Sequence, residues 1–160
     1  MFTLLEENLV RQNKAIMLLS ALLEEEFARL QKRNPRGVSR IELSIQELLR
    51  QIAAERFSLK RMCQAIDPEA EQVHMLYSSM DETTQQAFGS MLAMLDKMEQ
   101  KCGLQAAKNQ ELAQALLDQS SSLLNFMHKE IQPKKRDAYS ARGRFVGAGS
   151  SQATILRGRL

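Results

Sequence analysis

Apolar residues recur along this chain at steps of three and four, the spacing that aligns side chains on one face of an α-helix. From Thr3 to about Lys32, Leu5, Leu9, Ile16, Leu19, Leu23, Phe27 and Leu30 form one stripe, and Leu18 and Leu22 widen it toward a second neighbour. The run "NPRG" at 34–37 predicts a stop, because Pro35 pushes Asn34 out of the helical region and Gly37 accommodates a turn. A second helix is expected from Ser39, an N-cap whose partner Glu42 completes a capping box. It carries Ile41, Ile45, Leu48, Ile52, Leu59, Met62 and Ile66, with Leu49 and Cys63 beside them, and ends at Asp67-Pro68. The semi-apolar connection 69–79 has room for a helical turn or two. Ser79 and Glu82 read as another capping box. Beyond them the spacing is the most regular in the chain: Phe88, Met91, Leu95, Met98, Cys102, Gln105, Asn109, Leu112 and Leu116, then Leu123 and Met127. It keeps phase through Gly103, and glycine within a helix costs only about 1 kcal/mol relative to alanine. One continuous helix is predicted, ending before Pro133.

The pattern therefore predicts an all-α fold with helices over about 3–32, 39–66 and 80–130 in a domain covering residues 1–132, followed by a flexible basic tail, 133–160. Short links make the first helix antiparallel to the second and the second antiparallel to the third: a three-helix bundle or coiled coil with one long C-terminal helix. At 1.5 Å per residue the three helices span roughly 45, 42 and 75 Å, so about 30 Å of the third has no partner of matching length. The apolar stripe does not fade there, since Leu112, Leu116, Leu117, Leu123, Leu124 and Met127 follow Asn109. Exposed apolar surface of that extent marks an interaction site.

Composition and charge sharpen this picture. Leu, Gln, Glu, Ala, Lys and Arg dominate and only 5% of residues are aromatic, as in long helices. The formal net charge is +3, but residues 133–160 hold seven cations against the single anion Asp137. The tail is thus strongly basic and the body mildly acidic. Cys63 and Cys102 occupy apolar helical positions without metal-ligand spacing and read as reduced packing residues of a cytoplasmic protein. The N-terminus meets acids before any long apolar run, so no signal peptide is expected, and no window is apolar enough for membrane insertion.

Catalysis calls for a constellation of side chains, and none is legible. His74 and His128 lie far apart with no ligand at metal-binding spacing. Glu24, Glu25 and Glu26 sit on a helix already claimed by an apolar stripe and read as a solvated face. The glycines of "GRFVGAG" neither follow a strand nor open a helix, as a phosphate loop requires. No enzyme activity, cofactor or metal is expected. Met75, Met80, Met91, Met94 and Met98 cluster around the start of the third helix; core filling is the default reading, and an adaptable binding surface the other.

The tail, "YSARGRFVGAGSSQATILRGRL" from 139, is dotted with Tyr139, Phe145, Val146, Ile155 and Leu156. Phosphate contacts do not require the interruption "FVGAGSSQATIL", which counts against nucleic acid. A merely solubilising tail does not account for the apolar residues. A segment that orders on a protein partner needs such anchors, spaced by flexible residues.

With these elements placed, the sequence resembles the FlgN family of flagellar export chaperones. "IQELLRQIAAERFSLKRMCQAI" is similar to the family's paired leucines followed by a basic position and a further leucine pair. The stretch from Phe88 through Asn109 to Met127 looks like its long helix, with Phe88 at an aromatic position and Gln105 where the family carries an asparagine. "AYSARGR" looks like the start of its C-terminal tail. The resemblance implies a cytoplasmic chaperone that holds hook-filament junction (hook-associated) proteins by their terminal amphipathic helices and delivers them to a component of the type III export gate. It implies partner-binding residues in the C-terminal region: Leu112, Leu116, Leu123, Leu124 and Met127 on the helix, with Tyr139, Phe145, Ile155 and Leu156 in the tail, Tyr139 docking to the gate. The competing reading is a self-associating coiled-coil adaptor, a homodimer whose free stripe pairs with its own copy.

Overall fold

The apolar stripe of the first residues folds as helix α1, Phe2–Gln31, of 30 residues. The second stripe forms α2, Pro35–Ile66, of 32 residues, and the third α3, Glu82–Ile131, of 50 residues. A 3₁₀ helix, Val73–Ser79, lies between α2 and α3. This computed structural model describes residues 2–131, which are all-helical, with no strand among them. The long third helix runs unbroken through Gly103, as the unbroken phase of its apolar stripe required.

Two helix starts differ from the sequence-based expectation. Pro35 does not merely stop α1; it occupies the first turn of α2, where its missing N–H would have no partner anyway. Asn34, not Ser39, is the N-cap, its side-chain oxygen accepting from the Gly37 N–H at 3.0 Å. The turn is short because α1 closes tightly: Arg33 adopts φ 52°, and the Asn34 N–H donates to the Arg29 carbonyl at 3.1 Å. That 6→1 bond, with the Arg33 N–H donating to Leu30 at 3.0 Å, is a Schellman ending built on arginine where glycine is usual. At α3, Asp81 replaces the expected Ser79 as the cap. Its carboxylate accepts from the Thr84 N–H at 3.2 Å, while the Ser79 hydroxyl donates to the Leu76 carbonyl.

Cross-helix hydrogen bonds set the directions. Near the start of α1, Asn8 donates to the Glu55 backbone carbonyl at 3.1 Å, whereas near its end Arg29 donates to the Gly37 carbonyl at 2.7 Å. Helices α1 and α2 therefore run antiparallel. Between α1 and α3, Cys102 bonds the Ile16 carbonyl and Asn109 the Leu23 carbonyl, and Arg33, just past the end of α1, donates to Gln119, each pair separated by 86 residues. A constant separation means that these two helices run in the same direction in one register.

The core gathers Leu5, Leu9, Ile16, Leu19 and Leu23 of α1 against Ile41, Ile45, Leu48, Ile52 and Cys63 of α2. Ala70, Val73, Leu76 and Met80 of the connection join it, so this link is a packed part of the fold. Phe88, Leu95 and Cys102 are the α3 contribution. The methionines divide: Met80 is buried and Met91 and Met98 pack on the core, while Met75 and Met94 are exposed. The chain divides into two compact units, residues 1–119 and residues 120–160. The core belongs to the first; of the second, residues 120–131 are described, as the last turns of α3. The expected domain boundary near Pro133 falls outside the described residues.

Candidate binding surface

In the first unit, polar residues interrupt the packed seams at two places. Asn8 and Gln12 are buried, with Gln12 donating to Asn8 at 2.7 Å and Asn8 donating to the Glu55 carboxylate at 2.6 Å. Arg11 reaches the same carboxylate at 3.0 Å, and that hydrogen bond raises the pKa of its guanidinium. On α3, Asn109 is buried and donates both to the Leu23 carbonyl at 2.8 Å and to Glu26 at 2.5 Å, while Gln105 donates to Asn109 at 2.9 Å. Such groups fit one alignment only, because a slip would leave them buried and unpaired at about 1–3 kcal/mol each. The Asn8 cluster fixes where α2 lies along α1, and Asn109 fixes where α3 lies along α1.

Of the residues expected to bind partners, Leu112 and Leu116 belong to the first unit and are half-buried. Leu123, Leu124 and Met127 belong to the second and are exposed. Tyr139, Phe145, Ile155 and Leu156 lie outside the described residues. Phe126 and Ile131, which the sequence reading passed over, are 61% and 72% exposed. At 100° per residue, Leu123, Leu124, Phe126, Met127 and Ile131 fall within an arc of about 160° on the helix. Both missed residues were within reach of the periodicity argument, but a strict three-four seam is narrower than the face an amphipathic helix presents.

The electrostatics of this face are simple. No charged residue occurs between Asp118 and Lys129, so the face is uncharged over Leu123, Leu124, Phe126 and Met127; Glu130 falls within its arc only beside Ile131, and the opposite side carries Ser121, Ser122 and Asn125. Lys129 stands in the last turn, where positive charge complements the helix dipole. An uncharged apolar face on an amphipathic helix has no chemistry to perform; it can take the apolar face of another helix. Among the described residues no group of three or more His, Cys, Asp or Glu could hold a metal ion, and no helix is long and apolar enough to cross a membrane.

The profile of a known family, described as FlgN protein, matches residues 1–146. The chain belongs to the FlgN family. The match spans all of the described helices and continues into the basic segment beyond them. No curated protein and no solved structure matches the chain. Membership makes it a flagellar chaperone, and an exposed apolar helix face is a feature that a FlgN chaperone can use to hold a client.

Proposed function

We propose that this FlgN protein is a cytoplasmic, non-enzymatic export chaperone. It binds the terminal amphipathic helices of hook-associated proteins, keeps them from assembling early and delivers them to the export gate. The observation that carries this reading is the uncharged, exposed apolar face of Leu123, Leu124, Phe126 and Met127 in a chain of this family. A client helix lays its own apolar face on these residues. In the tail, Phe145, Ile155 and Leu156 add anchors on the client, and Tyr139 contacts the gate. Leu112 and Leu116 are half-buried and supply packing more than contact. Ordering a basic, glycine-interrupted tail on a partner costs conformational entropy, which keeps affinity moderate and release feasible.

The test is sedimentation and titration of the purified chain with a terminal peptide of a hook-associated protein. A one-to-one complex is expected, and Leu123→Asp should weaken it at least about tenfold, because a charge is then set against apolar surface. Tyr139→Ala should leave the peptide bound while contact with the soluble gate domain falls about thirtyfold, the loss of one aromatic hot spot. A stable homodimer that ignores the peptide would identify a self-associating adaptor instead.

A further inference from the structure

Helix α2 carries a second regular stripe, on the side opposite its core residues. Arg36, Arg40, Leu43, Arg50, Phe57 and Arg61 follow at three-, four- or seven-residue steps and fall within about 100° of arc, along about 38 Å of helix. Every one of these side chains is exposed, Leu43 at 67% and Phe57 at 64%. Arg50 is paired at 2.8 Å with Glu47, the one carboxylate within this arc; among the described residues no carboxylate pairs with Arg36, Arg40 or Arg61. The stripe has a shallow concavity at each end. One, of about 480 Å³, is lined by Pro35, Arg36, Ser39 and Arg40. The other, of about 350 Å³, is lined by Phe57, Ser58, Arg61, Met62 and Ala65.

We propose that this outward stripe of α2 is a docking surface for an acidic amphipathic helix of a partner protein, separate from the apolar face at the end of α3. Charge decides the occupant. Three unpaired guanidiniums in a line attract carboxylates at matching helical spacing and repel the basic tail of residues 133–160. A second copy meeting the stripe across a two-fold axis would set arginine against arginine. Leu43 and Phe57 lie on the line between the arginines, where a phosphate backbone has no use for them. Arginine beside an aromatic is instead the composition of protein interfaces. The partner helix presents a leucine-type seam to Leu43 and Phe57 and its acids to Arg36, Arg40 and Arg61.

The probe is a labelled peptide of about three heptads, with leucine along the seam and glutamate flanking it. It is titrated against the full-length chain carrying Leu123→Asp and Leu124→Asp, so that the end of α3 does not contribute. Binding is expected, with the amide shifts of α2 perturbed. It should weaken at least about tenfold in the Arg36→Glu, Arg40→Glu, Arg61→Glu variant and several-fold in Phe57→Ser, at unchanged helicity. A peptide with lysine in place of glutamate should not bind. Should the triple variant misfold, Phe57→Ser and the lysine peptide still decide. Binding that ignores the α2 variants, or that lysine supports equally, overturns the proposal. So does a single-stranded RNA that binds the stripe more tightly than the peptide, with affinity collapsing as salt rises.

Discussion

At the head of α3 the Asp81 carboxylate accepts from the Thr83 and Thr84 hydroxyls and from the Thr84 N–H, and these donors hold its pKa down, from an ordinary 3.8 to about 2. A carboxyl depressed in the folded state contributes stability above its unfolded pKa and loses that contribution as pH falls through the folded value. The Asp81 contribution is therefore complete above about pH 4 and gone near pH 2. Asp81→Asn keeps a capping oxygen without the charge. Urea midpoints of the two proteins should differ most near neutral pH, with the wild type higher, and converge toward pH 2; a difference independent of pH would mean that the hydroxyl bonds do not discriminate charge. Sequence reading placed this cap at Ser79, since a serine three residues before a glutamate satisfies the same rule as the aspartate that performs it. Burial of Gln12 was hidden for a different reason. It fills the missing step between Leu9 and Ile16, but periodicity counts apolar residues and takes a polar one for solvent.

At the scale of elements, helix existence and phase were legible because the three-four repeat continues over many turns. Their starts were not, as α2 illustrates: a proline that terminates one helix is also the best first residue of the next. Glycine shows the same double meaning. A β-carbon on Gly103 would meet nothing within 4 Å, so Gly103→Ala should stabilise the chain by about 0.5–1 kcal/mol through lower backbone entropy in the unfolded state. A β-carbon on Gly37 would stand 2.5 Å from the side-chain Nδ2 of Asn34 and 3.1 Å from the Arg29 side chain. Gly37→Ala displaces the α2 cap and should destabilise, despite alanine being the better helix former. Thermal melts of the two variants should move in opposite directions; a fall for Gly103→Ala would point to a kink in α3 that the straight helix does not require.

For the whole molecule, the thiols provide a readout of how its parts come apart. The sequence holds two cysteines, Cys63 on α2 and Cys102 on α3, and both are buried. Burial raises the pKa of each, which suppresses the thiolate that reacts. Labelling under native conditions should thus be slow and limited by opening. In Cys63→Ser the remaining thiol reports on α3, and in Cys102→Ser on the α1–α2 pair. Cys102 is expected to label faster, because α3 gives the core three buried apolar residues, Phe88, Leu95 and Cys102, along fifty residues of helix. Equal rates would mean that the fold opens as one unit. At this scale the length of α3 was legible from its spacing, and the family from the resemblance of its motifs. Of the exposed apolar face at the end of α3, Leu123, Leu124 and Met127 were legible in the three-four stripe, whereas the exposed arginines of α2 carry no apolar period and fall outside such a reading.

The three-residue corner of Lys32, Arg33 and Asn34 has a kinetic meaning as well. Joining α1 to α2 closes almost no loop, whereas seating Asn109 on Leu23 brings together residues 86 apart. Low sequence separation favours speed, so the hairpin of α1 and α2 is expected to form before α3 docks on it. Synthesis proceeds in the same order. A nascent chain has both helices of the hairpin before the exposed apolar end of α3 has left the ribosome, so the face proposed to hold a client is the last part of the described helices to emerge.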